Sequence, residues 1–504
     1  MISIVSSATL HGIEGRPVRV EVHVSTGIPG FTVVGLPDAA CRESRDRVRA
    51  ALLSSGLPWP LRRVTVNLAP SSIRKAGSGL DLPIAIGLLA ACGELPPSAL
   101  DSCAFFGELG LDGSLRPVPG IVALAVATSD AAIVVPYQSA AAASLVGRHV
   151  VLAGTSLRQV VDALTGVGDW PPLPVPLAEG TVSTPPDLAD VAGQLLGRRA
   201  LEVAAAGGHH LLLLGPPGSG KTMLARRLPG ILPQLDVDQA LETTRARSAA
   251  GGDAAMDRLI RTPPFRAPHH SSSLVSLTGG GTTMMRPGEL SLAHNGVLFL
   301  DEMGEFPVAA LDSLRQPTEE GFIRVCRARG STTFPARFIL VGAMNPCPCG
   351  ERGAPGSCRC SDAARARYMR RLSGPLLDRF DLRINIDRPD PDELLSRPVG
   401  ECSEVVKRRV AQARDRARAR DVDRNSLLDQ ADMDRFAPLS DSACELLERH
   451  LRSGSLSARG LARVRRVALT IADLDGGAPR LEAEHLCEAL ALRAPLERLL
   501  PSRP

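Results

Sequence analysis

Leu211-Leu-Leu-Leu-Gly-Pro-Pro-Gly-Ser-Gly-Lys-Thr222 is an apolar run that passes into G-x-x-x-x-G-K-T, followed by a helical segment, Met223 to Leu228. Strand, glycine-rich loop and helix in that order form a phosphate-binding loop. Gly215, Gly218 and Gly220 let successive backbone N–H groups wrap a polyphosphate, in an ATP-binding loop that also holds Pro216, Pro217 and Ser219. The helix N-terminus adds positive potential there. Lys221 reaches the β- and γ-phosphates and the Thr222 hydroxyl ligates Mg²⁺, so ATP with Mg²⁺ is the ligand this stretch implies.

A second apolar run, Gly296-Val-Leu-Phe-Leu-Asp301-Glu302, ends in two carboxylates. Beside a phosphate loop they have distinct work: Asp301 holds Mg²⁺ and Glu302 polarises the attacking water as general base. A third run, Phe338-Ile-Leu-Val-Gly-Ala-Met-Asn345, ends in an amide that can orient that water. Arg379, in Leu376-Leu-Asp-Arg-Phe-Asp-Leu382, and Arg459, in Ser457-Ala-Arg-Gly-Leu461, are candidate donors to the charge on the transferring phosphoryl group.

This order resembles AAA+ ATPases of the branch that holds magnesium-chelatase subunits and MCM helicases. Pro264-Phe-Arg-Ala-Pro-His-His270, Arg286-Pro-Gly-Glu-Leu-Ser-Leu-Ala-His-Asn-Gly296, Met344-Asn-Pro-Cys-Pro-Cys-Gly350 and Ser373-Gly-Pro-Leu-Leu-Asp-Arg-Phe-Asp381 are similar, more narrowly, to the bacterial ComM/YifB family of magnesium chelatase-like proteins. The resemblance covers essentially the whole chain. It implies that Asn345 is sensor 1, that Arg459 is sensor 2, and that Arg379 is a finger completing a neighbouring subunit's site. It also implies a ring, usually a homo-hexamer.

Length and charge set bounds. A chain of 504 residues exceeds one core and suggests two to four domains. With 44% hydrophobic and 22% charged residues the balance is that of a soluble globular protein. A net charge of +4 neither requires nor excludes nucleic acid, so that argument rests on local clusters. Met1 to Leu10 lacks a basic leader, and the apolar run Leu82 to Cys92 is short and contains Pro83. Neither a signal peptide nor a membrane span fits, which points to a cytoplasmic protein without a membrane partner.

Eleven cysteines in such a chain fit reduced thiols better than a disulfide framework. Four stand apart as Cys347-Pro-Cys349 and Cys358-Arg-Cys360, two C-x-C pairs around a Gly/Pro-rich loop. Four sulfurs so placed can surround a structural Zn²⁺, although the spacing is tighter than the usual C-x₂-C and also fits unligated thiols.

The expected fold class is α/β in three parts, with boundaries set by punctuation. Residues 1–165 mix strand-like runs, Val18 to Val24, Val64 to Leu68 and Ala132 to Val135, with helical ones, Ala39 to Ser54 and Leu80 to Ala91. Arg74-Lys-Ala-Gly-Ser-Gly-Leu-Asp-Leu-Pro83 and Gly107 to Gly120 resemble the Lon peptidase domain, which implies a ribosomal-S5-like fold. By that resemblance Gly79 stands at the nucleophilic serine and Val122 at the lysine, and Ser78 is one position off without an activating base. The domain therefore reads as a platform without peptidase activity. Residues 166–190 are a Pro-rich linker, 191–390 the AAA+ core with the cysteine insert at 347–360, and 391–504 a helical lid. Helical spacing recurs in the last part over Glu401 to Arg420, Ser440 to Leu451, Ser457 to Leu474 and Glu482 to Leu492, with the Arg-rich face of Lys407 to Arg420 read as solvated.

Two elements bear on the partner. Ile323 to Phe334 reads as a β-hairpin with a basic turn, Arg327 to Gly330, at the place where MCM-like ATPases carry a DNA-contacting hairpin; Arg327 and Arg329 are the phosphate-contact candidates. Arg266 to Arg286, with His269 and His270, falls where the related ATPases carry a helix-2 insert. The resemblance thus implies a ring motor acting on single-stranded or branched DNA, a branch-migration helicase. A chaperone or remodeller of protein complexes, like magnesium-chelatase and MoxR-like ATPases, is the alternative.

Overall fold

The computed structural model describes residues 1–75, 77–174, 185–251, 258–281, 285–327, 330–350, 358, 360–388, 392 and 400–494. Its first part is a seven-stranded mixed sheet. The strands are β1 (Ile2–His11), β2 (Glu14–Ser25), β3 (Gly30–Val34), β4 (Arg63–Ala69), β5 (Cys103–Phe105), β8 (Ala132–Pro136) and β9 (Val150–Gly154), in spatial order β3-β4-β2-β1-β5-β8-β9; β6 (Glu108–Leu109) and β7 (Leu115–Arg116) form a separate short ribbon. β1 and β2 pair antiparallel from Ile2↔His23 to His11↔Glu14. Val18, Val20, Val22 and Val24 alternate into the core while Arg19 and His23 face out, the period-two pattern of a half-buried strand.

The apolar run that was too short for a membrane is the buried helix Asp81–Cys92. Gly87 permits its close approach to the sheet, since a Cβ there would lie 2.8 Å from Val22 Cγ2. Among the described residues no helix is long and apolar enough to cross a membrane.

The second part carries a five-stranded parallel sheet made of β10 (Leu211–Leu214), β11 (Phe265–Arg266), β12 (Val297–Leu300), β15 (Ile339–Met344) and β16 (Leu382–Asn385), in the order β11-β12-β15-β10-β16. Every residue of β10, β12 and β15 is buried, which is why each reads as an unbroken apolar run. The chain leaves β10 for the far edge at β11 and works back through β12 and β15. The carboxyl ends of β12, β15 and β10 therefore lie side by side, where open parallel sheets bind ligands.

Helices Ser403–Arg418, Gln430–Phe436, Asp441–Arg452, Ala458–Leu474 and Ala483–Ala491 follow, and Val406, Val410 and Ala413 share a core with Leu201 and Ala205 of the helix Leu195–Gly207. One expectation is corrected here. The Arg-rich helix is not solvated throughout, because Arg414 is buried and donates twice to the Ala205 carbonyl, at 3.0 and 2.7 Å. Burial lowers its pKa to about 9. The expected linker at 166–190 has its middle, 175–184, outside the described residues, as has most of the expected boundary near 391.

The first and second parts share one hydrophobic core. Ile121 to Ala125 pack with Ala246 and Ala249, and the Gly120 amide donates to the Ser248 carbonyl at 3.2 Å. The hairpin read from sequence is present as β13 (Phe322–Arg327) and β14 (Gly330–Pro335). Its body is fixed against the first part: Thr332 Oγ1 lies 3.3 Å from His11 Nε2, and Gly12 sits against Thr332 and Phe334.

Candidate nucleotide site

Gly215 closes β10 so tightly against β16 that a Cβ would stand 2.1 Å from the Ile386 carbonyl oxygen and 2.8 Å from Ser219 Oγ. Gly218 and Gly220 take φ of 77° and 90°, the left-handed region that frees loop amides to converge. The Lys221 ammonium donates to the carbonyls of Gly215 at 2.7 Å and Pro216 at 2.8 Å and lies 3.3 Å from Asn345 Oδ1. Burial pushes its pKa below the ordinary lysine value, against the pull of Asp301 and Glu302. A polyphosphate at this loop would offer that ammonium stronger, charge-assisted acceptors than two carbonyls.

The Thr222 hydroxyl donates to Asp301 Oδ2 at 2.8 Å. Residues 79 positions apart thus meet at the ends of β10 and β12, one hydroxyl and one carboxylate of the type that hold Mg²⁺ in such sites. Glu302 turns the chain with φ of 49°, a strained value for a side chain that active sites tolerate. Its carboxylate is exposed and stands 3.4 Å from His270 Nδ1. His270 in turn packs on His269, with ring centroids 4.1 Å apart, and edge-on to Phe306.

His270 is the contact that sequence reasoning missed. Of the two adjacent histidines, His269 makes local contacts, with Ser271 Oγ at 2.7 Å and accepting the Ser271 amide at 3.3 Å, while His270 faces the carboxylate.

Arg379 lies at the other end of the sheet. It precedes β16, whose Leu382 pairs with Leu211, so the three residue steps of the strand, about 10 Å, separate it from its own phosphate loop. Its guanidinium pairs with Glu319 and donates to the Pro375 carbonyl at 2.9 Å. Arg463 donates to the Arg379 carbonyl at 3.2 Å and to Asp381 Oδ1 at 2.6 Å. Arg459 is exposed one helical turn before Arg463, in the first turn of the helix Ala458–Leu474. A cavity of about 520 Å³ opens on this side, lined by Arg337, Arg379, Arg424, Arg463, Arg466 and His210 among others.

Behind it, buried His209 bridges Asp381 Oδ2 at 3.2 Å and Thr470 Oγ1 at 2.8 Å, which ties the strand after Arg379 to the helix of Arg459. Burial opposes the Asp381 charge, yet His209 and Arg463 hold its pKa far below the usual carboxylate range.

The four cysteines converge. All their sulfurs lie within 4.8 Å of one another, with separations of 3.3 Å for Cys347–Cys349, 3.6 Å for Cys349–Cys358 and 3.8 Å for Cys347–Cys358, and none is in a disulfide. A tetrahedral Zn²⁺ with bonds of about 2.3 Å spaces its sulfurs about 3.8 Å apart, so the donor set fits that ion. The turn read at Arg327 to Gly330 has Arg329 outside the described residues, and Arg327 ends β13 opposite Gly330. In the first part Gly79 faces Val118 and Val122 is wholly buried, while Ser78 Oγ pairs with Glu108 and Lys75 turns to the Pro70 carbonyl.

Known proteins extend this picture. Family models described as "Magnesium chelatase, subunit ChlI", "Subunit ChlI of Mg-chelatase" and "Magnesium chelatase, subunit ChlI C-terminal" match residues 187–394, 20–139 and 400–493. The chain is 44% identical to "Uncharacterized protein YifB" of Escherichia coli strain K12 and 43% identical to "Competence protein ComM" of Haemophilus influenzae, in each case over 99% of this chain and 98% of the relative. The "Magnesium-chelatase 38 kDa subunit" of Acidiphilium rubrum is 29% identical over 45% of this chain and 64% of that one.

Proposed function

The chain belongs to the ComM/YifB family of magnesium chelatase-like AAA+ proteins, and on that premise we propose that it is a cytoplasmic ring-forming ATPase, a hexamer, that moves branches in DNA. The observation that carries the ATPase reading is the Thr222–Asp301 bond at the carboxyl ends of two parallel strands, with Lys221 and Asn345 beside it. Lys221 and the loop amides bind the phosphates, Thr222 and Asp301 hold Mg²⁺, Glu302 takes the proton of the attacking water, and Asn345 orients that water. Mg²⁺, when bound, screens the charge that develops between the β- and γ-phosphates.

Arg379 acts on a neighbour's nucleotide, and Arg459 serves as sensor 2. The position of Arg379 before β16, at the end of the sheet away from Lys221, supports this reading. Head-to-tail contacts of this kind give a ring when the rotation between neighbours closes, as proposed here.

The DNA part rests on family and on one element. One relative is named a competence protein, which favours a competence-related role, and Arg327 and Arg329, read from the sequence at the turn between β13 and β14, are the residues proposed to touch phosphates. Residues 1–165 serve as a Lon-like platform without a Ser–Lys dyad, and their core shared with the hairpin's base gives the DNA element a rigid mount. The helices after residue 400 form the lid, and the four cysteines hold a structural Zn²⁺.

The test is the steady-state ATPase rate with and without a branched DNA. Several-fold stimulation by DNA is expected. A rate indifferent to DNA but raised by a protein client would replace this reading with that of a remodelling chaperone.

A further inference from the structure

We propose that the metal at Cys347, Cys349, Cys358 and Cys360 sets the nucleotide affinity of the phosphate loop, through the contact of the Gly350 turn with Pro217. The proposal rests on reading the four cysteines as a metal centre, and its test separates the two.

Asn345, which lies 3.3 Å from the Lys221 ammonium, is two residues before Cys347. Cys347 is fully buried, and its carbonyl accepts the Gly350 amide at 2.9 Å, closing a tight turn over 347–350. Gly350 holds φ of 80° and lies so close to the phosphate loop that a Cβ would stand 2.5 Å from Pro217 Cδ and 2.6 Å from Cγ. Pro217 is flanked by Pro216, whose carbonyl accepts from Lys221, and by Gly218. The first C-x-C pair therefore forms part of the wall against which the phosphate loop is set.

The far end of the cysteine segment is tethered as well. The helix Asp362–Arg370 begins two residues after Cys360 and carries Tyr368, whose ring is packed onto Gly304. A Cβ on Gly304 would meet Tyr368 Cζ at 2.5 Å, and burial raises the phenol's pKa to about 12. Gly304 is two residues beyond Glu302. The segment thus leans on the phosphate loop at one end and on the carboxylate turn at the other.

Thiols facing one another attract each other weakly through S–H hydrogen bonds. An ion bound by all four ties Cys347 and Cys349 to Cys358 and Cys360 and contributes its binding energy to that arrangement. With the ion gone, the Gly350 turn loses its restraint and Pro217 its wall. Coupling between two sites is reciprocal, so bound nucleotide should also slow loss of the metal.

The experiment uses the full chain. Zinc content is measured by elemental analysis, and the dissociation constant of a fluorescent ATP analogue is measured for protein as purified, stripped with chelator and reductant, and reloaded with Zn²⁺. Stripping should weaken binding on the order of tenfold, within the usual range of site-to-site coupling, and reloading should restore it. In Pro217→Ala, which lacks the ring that meets Gly350, the metal effect should shrink towards none. Gly350→Ala, loaded with metal, should bind nucleotide more weakly at full zinc content, a result that does not depend on the stripped protein staying folded.

Full zinc content with unchanged affinity after stripping, an undiminished metal effect in Pro217→Ala, or normal affinity in Gly350→Ala would overturn the coupling and leave the metal centre standing. Protein that neither contains nor takes up Zn²⁺ would remove the metal centre itself.

Discussion

Changing Arg379 to Ala should remove a guanidinium from one subunit and, on the proposed role, hydrolysis from its neighbour. β10 and β16 run parallel from Leu211↔Leu382 to Leu214↔Asn385, so the phosphate loop and Arg379 occupy opposite ends of one sheet. Arg379→Ala should keep near-normal nucleotide binding and lose hydrolysis by on the order of 10³-fold or more, the usual cost of an arginine finger. Lys221→Ala should be dead for the opposite reason. Each intact site needs Lys221 from one chain and Arg379 from the next, so in rings assembled from equal amounts of the two variants about one interface in four is complete, whatever the ring size. ATPase of the mixture should therefore recover to about a quarter of the wild-type rate if sites work independently, and less if they are cooperative. The assay is phosphate release across a series of mixing ratios, with subunit exchange checked by differently labelled chains. Mixed rings without any recovery, or an Arg379→Ala ring that hydrolyses normally, would refute the assignment in trans.

Lys221→Ala should abolish nucleotide binding, whereas Glu302→Gln should bind ATP and hold it unhydrolysed; equal affinities in an equilibrium titration would contradict both roles. His270→Ala should lower kcat on the order of tenfold while leaving nucleotide affinity unchanged, because it frees the Glu302 carboxylate without touching the phosphate loop. An unaltered kcat would make that pair a surface contact only. Arg327→Ala together with Arg329→Ala should weaken DNA binding of every sequence and flatten its salt dependence, the log–log slope falling by roughly 0.7 to 0.9 per lost phosphate contact. Superimposable salt titrations of wild type and double variant would take the hairpin out of the mechanism.

The parts of the site that sequence makes legible are those that buried parallel strands carry. Leu211–Leu214, Val297–Leu300 and Ile339–Met344 are apolar on both faces, so each announces itself, and the residue that follows each one is delivered to the same sheet edge. The Cys347 to Cys360 spacing is legible for a similar reason, since two short pairs within one loop have few places to go.

Contacts set by tertiary neighbours were not legible. His270 reaches Glu302 only because β11 pairs with β12, and nothing in the thirty-odd residues between them records that pairing. Arg414 looks like its solvated neighbours, yet its turn of helix faces the Ala205 carbonyl. Glu319 as the partner of Arg379 depends likewise on a packing across 60 residues. β1 escaped notice because Ile2 to His11 interleaves serine and threonine with its apolar residues, a weak strand signal, and it is its full-length pairing with β2 that fixes it.

The central claim, that ATP turnover at the Thr222–Asp301 site moves DNA branches, is tested most directly on a labelled four-way junction with ATP and Mg²⁺, wild type beside Glu302→Gln. The account predicts that wild type drives the junction to separated duplex products while Glu302→Gln binds the junction and leaves it intact. Wild type that hydrolyses ATP at full rate and leaves the junction unmoved would contradict it.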